Sequence, residues 1–207
     1  MALSTFDELK TAIADFLNRD DLTATIPTFI ALAEAEMNRR LRHWRMEVRA
    51  TLSTNDQYNE LPTGWLEAVR LSVNTSDGIK PLRLLSQRDI QDKRRADADV
   101  AGEPEGYAIT DGGYELYPAP DATYSIETLY FARFTALSDA APSNWLLTYH
   151  PAAYLYGALK HSAPYLQEDQ RMAVWAALFE TEIMQIDEAN SAARHSGTGL
   201  RIRMGSV

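Results

Sequence analysis

The sequence contains no cysteine, which excludes disulfides, thiolate metal sites and dithiol redox chemistry and fits a chain matured in a reducing cytoplasm. It has no run of about 18 apolar residues, and its first ten residues are polar where a signal peptide would be apolar. A soluble protein that touches no membrane is expected. Histidine is scarce: His43, His150, His161 and His195 never fall at the spacing that puts two on one helix face, so no metal and no cofactor is expected. There is no Gly-x-Ser-x-Gly elbow, and no glycine-rich loop leads from a strand into a helix, which leaves serine hydrolase and phosphate-cradle chemistry without a carrier. No internal repeat of 20 to 50 residues suggests a solenoid. Carboxylates are abundant, 29 of 207 residues, and for that reason no pair stands out as acid and base for glycoside cleavage. No catalytic residue is assigned.

What is present is an acidic body with two basic islands. The formal net charge is −9, but residues 1–38 carry 2 basic and 7 acidic groups, residues 39–49 carry 5 and 1, residues 50–190 carry 10 and 21, and the remainder carries 3 and none. A broad cationic surface for coating nucleic acid is therefore missing. Docking on an acidic protein surface is compatible with the islands.

Three grammars follow one another along the chain. Ser4 with Asp7, or Thr5 with Glu8, is placed as a capping box ahead of the stripe Phe6, Leu9, Ile13, Phe16 and Leu17. After a polar break from Asn18, Thr25 or Ile26 is placed to cap a second helix with Pro27 in its first turn. Ile30, Ala33, Met37 and Leu41 recur on it at helical spacing. From Met46 the period becomes two, with Met46, Val48, Ala50 and Leu52 on one side of a strand over Glu47–Thr54. Further strands are expected over Glu67–Val73 and Ile79–Leu85, joined by a turn at Asn74–Gly78. A short helix capped by Ser86 and Asp89 reaches about Arg95, and Ala96–Glu105 reads as polar and exposed. A hairpin over Gly106–Tyr117 turns at Asp111-Gly112-Gly113, and a last strand runs Thr123–Arg133. Helical spacing returns with Asn144–Tyr149, with a helix from Pro151 that Pro164 should end or kink, and with Met172, Trp175, Phe179, Ile183 and Ile186 on a long helix over Gln167–Ala193.

The fold class read from this order is α+β: a helical bundle built from both chain ends, an inserted antiparallel β module, and an extended C-terminal tail. The expected parts are a helical hairpin over 1–45, the β module over 46–135, completing helices over 136–193 and the tail over 194–207.

Two stretches are candidate contact surfaces. Arg39, Arg40, Arg42, Arg45 and Arg49 cluster where the second helix gives way to the first strand. They fit either ion pairing with the acidic middle or clamping of carboxylates on a neighbouring subunit and of phosphates in a channel. In the tail, Leu200, Ile202 and Met204 alternate with Arg201 and Arg203, a pattern suited to adding a strand to a partner. Tyr107, Tyr114, Tyr117, Tyr124 and Tyr130 could stack sugars or bases on an exposed sheet, but alternating tyrosines more often pack a core or a subunit interface.

Several stretches in a fixed order resemble the head-to-tail adaptor proteins of tailed phages, the small adaptor family of short-tailed phages in particular. They are residues 26–36 (IPTFIALAEAE) with the arginines after them, residues 58–67 (YNELPTGWLE), residues 102–107 (GEPEGY), residues 144–147 (NWLL) and residues 154–159 (YLYGAL). The resemblance spans nearly the whole chain. It implies a structural virion protein at the head–tail junction, present in the host cytoplasm during assembly. Many copies, usually twelve, form a ring under the portal protein, extend the DNA channel and offer a platform to a downstream tail or nozzle protein. DNA is then only passing cargo. In that family the C-terminal segment commonly reaches the portal or neighbouring subunits. Catalysis is not implied; the alternative reading is a cell-wall or carbohydrate-active hydrolase of a phage tail.

Overall fold

The computed structural model describes residues 3–96, 100–166 and 169–195. It combines helices with sheets whose strand pairs are antiparallel, except that Arg83–Leu84 runs parallel to its neighbour at Gly106–Tyr107 and so departs from the expected wholly antiparallel module. It divides into two compact units. One is built from the residues up to Arg45 together with those from Phe134 onward, and the other is Met46–Arg133.

In the helical unit, helix α1 (Phe6–Leu17) opens with the Thr5/Glu8 capping box and ends on Asn18 in the left-handed region. Phe6, Leu9, Ala12, Ile13 and Leu17 are buried, whereas Phe16 points outward and is 53% exposed. Phe16 therefore leaves the expected stripe, because Ala12 and Ile13 already occupy the inward arc. Helix α2 (Ile26–Arg40) carries Pro27 in its first turn, where a missing N–H costs nothing, and Thr25 caps it without a side-chain hydrogen bond. Ile30, Ala33, Met37 and Leu41 are buried as their spacing demands. Helix α4 (Trp145–Tyr149) is capped by the Asn144 side chain, which accepts from the Leu147 N–H. Helix α5 (Pro151–Leu166) contains Pro164 within it, so the proline does not end the helix at the position where the sequence suggested a stop or kink. Helix α6 (Asp169–His195) buries Trp175, Phe179, Ile183 and Ile186 but leaves Met172 38% exposed.

Helix α5 packs on α1, α2 and α6. Gly157 lets them approach: a Cβ there would lie 3.0 Å from the Ala33 Cβ and 3.0 Å from the Phe179 ring.

The second unit is two stacked four-stranded sheets. One has the order β1 (Glu47–Thr54), β8 (Tyr124–Ala132), β3 (Trp65–Thr75), β4 (Gly78–Pro81). The other has the order β2 (Tyr58–Glu60), β7 (Gly113–Tyr117), β6 (Gly106–Thr110), β5 (Arg83–Leu84). The sequence-predicted strand over Ile79–Leu85 is thus two strands in two sheets. The chain crosses at buried Leu82, whose N–H still bonds Leu71 O at 2.8 Å while the Arg83 N–H bonds Glu105 O at 3.0 Å. Gly112 supplies the positive φ, +72°, at the tip of the β6–β7 hairpin.

Leu71, Val73, Leu82, Tyr107, Tyr114, Leu116 and Ile126 form the core between the sheets, with Tyr124 partly buried against it. Helix α3 (Gln87–Ala96) packs Ile90 on Ala108 and Tyr117. The tyrosines of β6 and β7 are core residues. Of the stretch expected to be polar and exposed, the described part from Val100 to Glu105 is partly covered: Pro104 is buried and the Gly102 N–H bonds Ala119 O at 2.8 Å. On β1 the apolar side is only partly covered: Val48 and Leu52 stay about two-fifths exposed because β1 is a sheet edge. The chain enters and leaves this unit on neighbouring strands, with Glu47 opposite Phe131 in the β1–β8 ladder.

Candidate functional site

Four of the five sequence-selected arginines belong to the helical unit, at the C-terminal end of α2, where a helix dipole favours cations. Arg49 lies on β1 in the other unit.

Arg40 is committed to a partly exposed clamp within the chain. Its two terminal nitrogens donate to the two oxygens of Glu180 on α6 at 2.6 and 2.5 Å, and its plane lies 5.8 Å from the Phe179 ring centroid. One turn earlier on α2, Glu36 accepts from Lys160 Nζ at 2.7 and 2.8 Å and lies 3.0 Å from His161 Nε2. Burial pushes the Glu36 carboxyl up, but the Lys160 ammonium and the His161 ring outweigh it and hold it below the usual carboxylate range. For His161 the balance goes the other way: burial exceeds the pull of Glu36, and its pKa falls.

Arg42 folds back on its own helix. Its Nη1 donates to Leu41 O at 2.8 Å and Asn38 O at 3.1 Å, satisfying carbonyls that a helix end leaves open. Asn190 on α6 fixes the chain beyond it, accepting from the Trp44 N–H at 3.0 Å and donating to Arg42 O at 3.1 Å.

Arg39 and Arg45 have no carboxylate partner among the described residues. Arg45 sits between two rings, 4.5 Å from the Trp44 centroid and 4.3 Å from that of Tyr149. Both rings are exposed, by 43% and 57%. Beneath them His43 stacks on Trp145 at 4.7 Å, and its Nδ1 accepts the Arg45 backbone N–H at 3.1 Å, so the neutral ring carries its proton on Nε2. Burial, followed by the charges of His150, Arg45 and Arg194, pushes the His43 pKa down to about 4. The pKa of His150 is also lowered, by burial and then by Arg45. The surroundings of this corner are cationic, with no acid among the groups that act on His43.

In the β unit, Arg49 on β1 and Arg70 on β3 reach the two oxygens of Glu127 on β8 at 3.5 and 3.1 Å. Leu200, Arg201, Ile202, Arg203 and Met204 lie outside the described residues. Among the described residues no group of three or more His, Asp or Glu side chains could hold a metal ion, and no helix is long and apolar enough to cross a membrane.

A second set of residues was missed in the sequence reading. Glu34, only 6% exposed, accepts from the Leu137 N–H at 2.8 Å and from the Tyr154 hydroxyl at 3.0 Å. The Asn144 amide donates to the same hydroxyl at 2.6 Å and to Thr135 O at 2.7 Å. Burial pushes the Glu34 carboxyl up, opposed by its two donors, and burial followed by Glu34 pushes the Tyr154 hydroxyl up. The signal was available: Glu34 stands between Ile30 and Met37 on the apolar arc of α2, where an acid needs a partner. Three of the sequence stretches quoted above, 26–36, 144–147 and 154–159, meet in this network.

A model of the SU10 adaptor protein family matches residues 4–203. The chain belongs to that family. It is accordingly a phage head-to-tail adaptor protein in the general sense, a structural component of the virion. No curated protein matches the sequence. For an SU10 adaptor family member the locked network is informative, because the stretches that carry the resemblance serve packing: Gly157 at the helix crossing, Glu34 with Tyr154 and Asn144 in the core, and Gly106 tight against Leu85. Arg45, Trp44 and Tyr149 remain at the surface.

Proposed function

We propose that this adaptor protein forms an oligomeric ring, usually of twelve copies, beneath the portal protein, extends the DNA channel there and gives the next tail or nozzle component its platform. The family match over residues 4–203 carries this reading. It works without catalysis and needs no cofactor; none of the described observations favours the hydrolase alternative. Helices from both chain ends form a bundle in each copy, and the arginines after α2 face a neighbouring subunit or the channel. Two of the five have no carboxylate partner among the described residues and are available for that contact, Arg39 and Arg45. The tail, with Leu200, Ile202 and Met204 alternating against Arg201 and Arg203, orders on the portal or on a neighbouring copy. Assembly takes place in the host cytoplasm, and the mature location is the head–tail junction.

Electron microscopy of particles produced without this chain tests the role. DNA-filled or emptied heads lacking tails are expected, whereas normally tailed particles would overturn it. Truncation after Ala193 sharpens the tail assignment: the truncated chain keeps its circular-dichroism spectrum and melting point but assembles poorly. Normal assembly of the truncated chain would contradict it.

A further inference from the structure

The exposed corner of the helical unit has the composition of an interface hot spot, an arginine flanked by tryptophan and tyrosine. The Arg45 guanidinium lies within 4.5 Å of both ring centroids and is itself exposed, and a guanidinium is the side chain suited to receive a carboxylate with two parallel bonds. No acid of the described residues fills that position.

The complement lies at the other end of the same unit. Helix α2 has 15 residues and is therefore about 22 Å long, with the arginine corner after its last turn. Beside its first turn is a recess of about 410 Å³ lined by Asp7, Lys10, Asp15, Asp20, Thr23 and Ile26, among others. Asp7 is neutralised by Lys10 at 2.6 Å, but Asp15 and Asp20 have no cation partner among the described residues. One unit thus presents an exposed cationic-aromatic corner and, at the opposite end of α2, an acidic recess. A contact between unlike patches on successive copies is heterologous, and a heterologous contact whose rotation closes generates a ring.

We propose that the Trp44–Arg45–Tyr149 corner of one copy docks in the Asp15/Asp20 recess of the next. The inference rests on the ring reading and specifies the contact that closes it.

The test is charge exchange read by native mass spectrometry of the full-length chain on the portal ring of its own virus. Arg45→Glu alone, and Asp15→Lys with Asp20→Lys alone, are expected to weaken filling of the ring more than tenfold and to leave partial occupancies. The triple variant, which swaps both sides, is expected to restore the wild-type copy number. All altered side chains are exposed, and unchanged melting points verify the fold. Full rings from either one-sided variant, or no rescue by the triple variant, would overturn the contact while leaving the ring reading intact. Loss of portal binding only on the arginine side would overturn it too, and would assign the corner to the portal. A wild-type chain that binds the portal in single copies would sink the ring reading and this inference together.

Discussion

The two units use charge in opposite ways. In the helical unit, charged and polar groups from the two ends of the chain meet across helix interfaces: Arg40 with Glu180, Glu36 with Lys160, and the Glu34 carboxyl with the Tyr154 hydroxyl. In the β unit the paired charges mostly decorate a surface, as Arg49, Glu127 and Arg70 do across three strands, with Arg94 and buried Glu115 the main exception. The difference follows from connectivity. A unit closed by residues up to Arg45 and from Phe134 onward needs contacts that fix which helix meets which, and polar pairs do that more selectively than apolar ones. A unit whose strands β6 and β7 are joined by a two-residue turn, and whose first and last strands are neighbours, is already fixed in register by its turns and alternation.

Substitutions that empty the helical core should have the largest effect. Phe179→Ala removes a ring that touches the Gly157 crossing and is expected to cost about 3–5 kcal/mol. Hydrogen exchange should then show lost protection in α2, α5 and α6 with the β6–β7 amides still protected; equal loss in both units would erase the distinction.

Acid comes next. His43 titrates near its ordinary 6.5 when unfolded and at about 4 when folded, so the unfolded chain takes up the proton first. The stability this gives is complete above about pH 6.5 and disappears as the pH falls towards 4, a change of about 3 kcal/mol. His150 and His161, also lowered, act in the same direction. Melting points recorded between pH 7 and 4 should fall for the helical unit, and the fall should flatten in a His43→Gln variant. A pH-independent melting point would contradict the packing around Trp145.

Tyr154→Phe is expected to cost about 1–2 kcal/mol, since it removes one of two donors to buried Glu34 and an acceptor for Asn144. Denaturant titration measures it. The smallest effects belong to the exposed charges. Arg40→Ala should cost about 1 kcal/mol or less and Arg49→Ala less still, because Arg49 and Arg70 are half exposed or more and their pairs with Glu127 are screened by solvent. If Arg49→Ala proved the more damaging, the contrast between interlocking and decorating charges would fail.

How much of this was legible follows the same division. Helix starts could be read because a capping box and a first-turn proline act locally: of the two boxes offered, Thr5 with Glu8 forms, and Pro27 stands in the first turn of α2; Asn144, read as part of its helix, turned out to be the cap. Strand β1 was legible to the residue because the period changes sharply at Met46. The sheet change at Leu82 was not, since a strand that crosses between sheets keeps the same alternation and differs only in its partners. Phe16 and Met172 fit a helical stripe arithmetically, but the arc available for burial was narrower than the pattern. Among the arginines, proximity in sequence could not separate Arg40, which finds Glu180 140 residues away, from Arg45, which finds the rings of Trp44 and Tyr149. Trp44 and Tyr149 went unnoticed as a pair for the same reason: they are joined only by folding.

The central claim, that this SU10 adaptor family member acts by assembling in many copies under a portal, is tested most directly by counting the copies bound. Native mass spectrometry of the wild-type chain titrated onto the portal ring of its own virus should give one saturated species with a fixed, symmetry-matched number of copies. A folded chain that leaves the portal ring at its own mass across the titration would contradict the account.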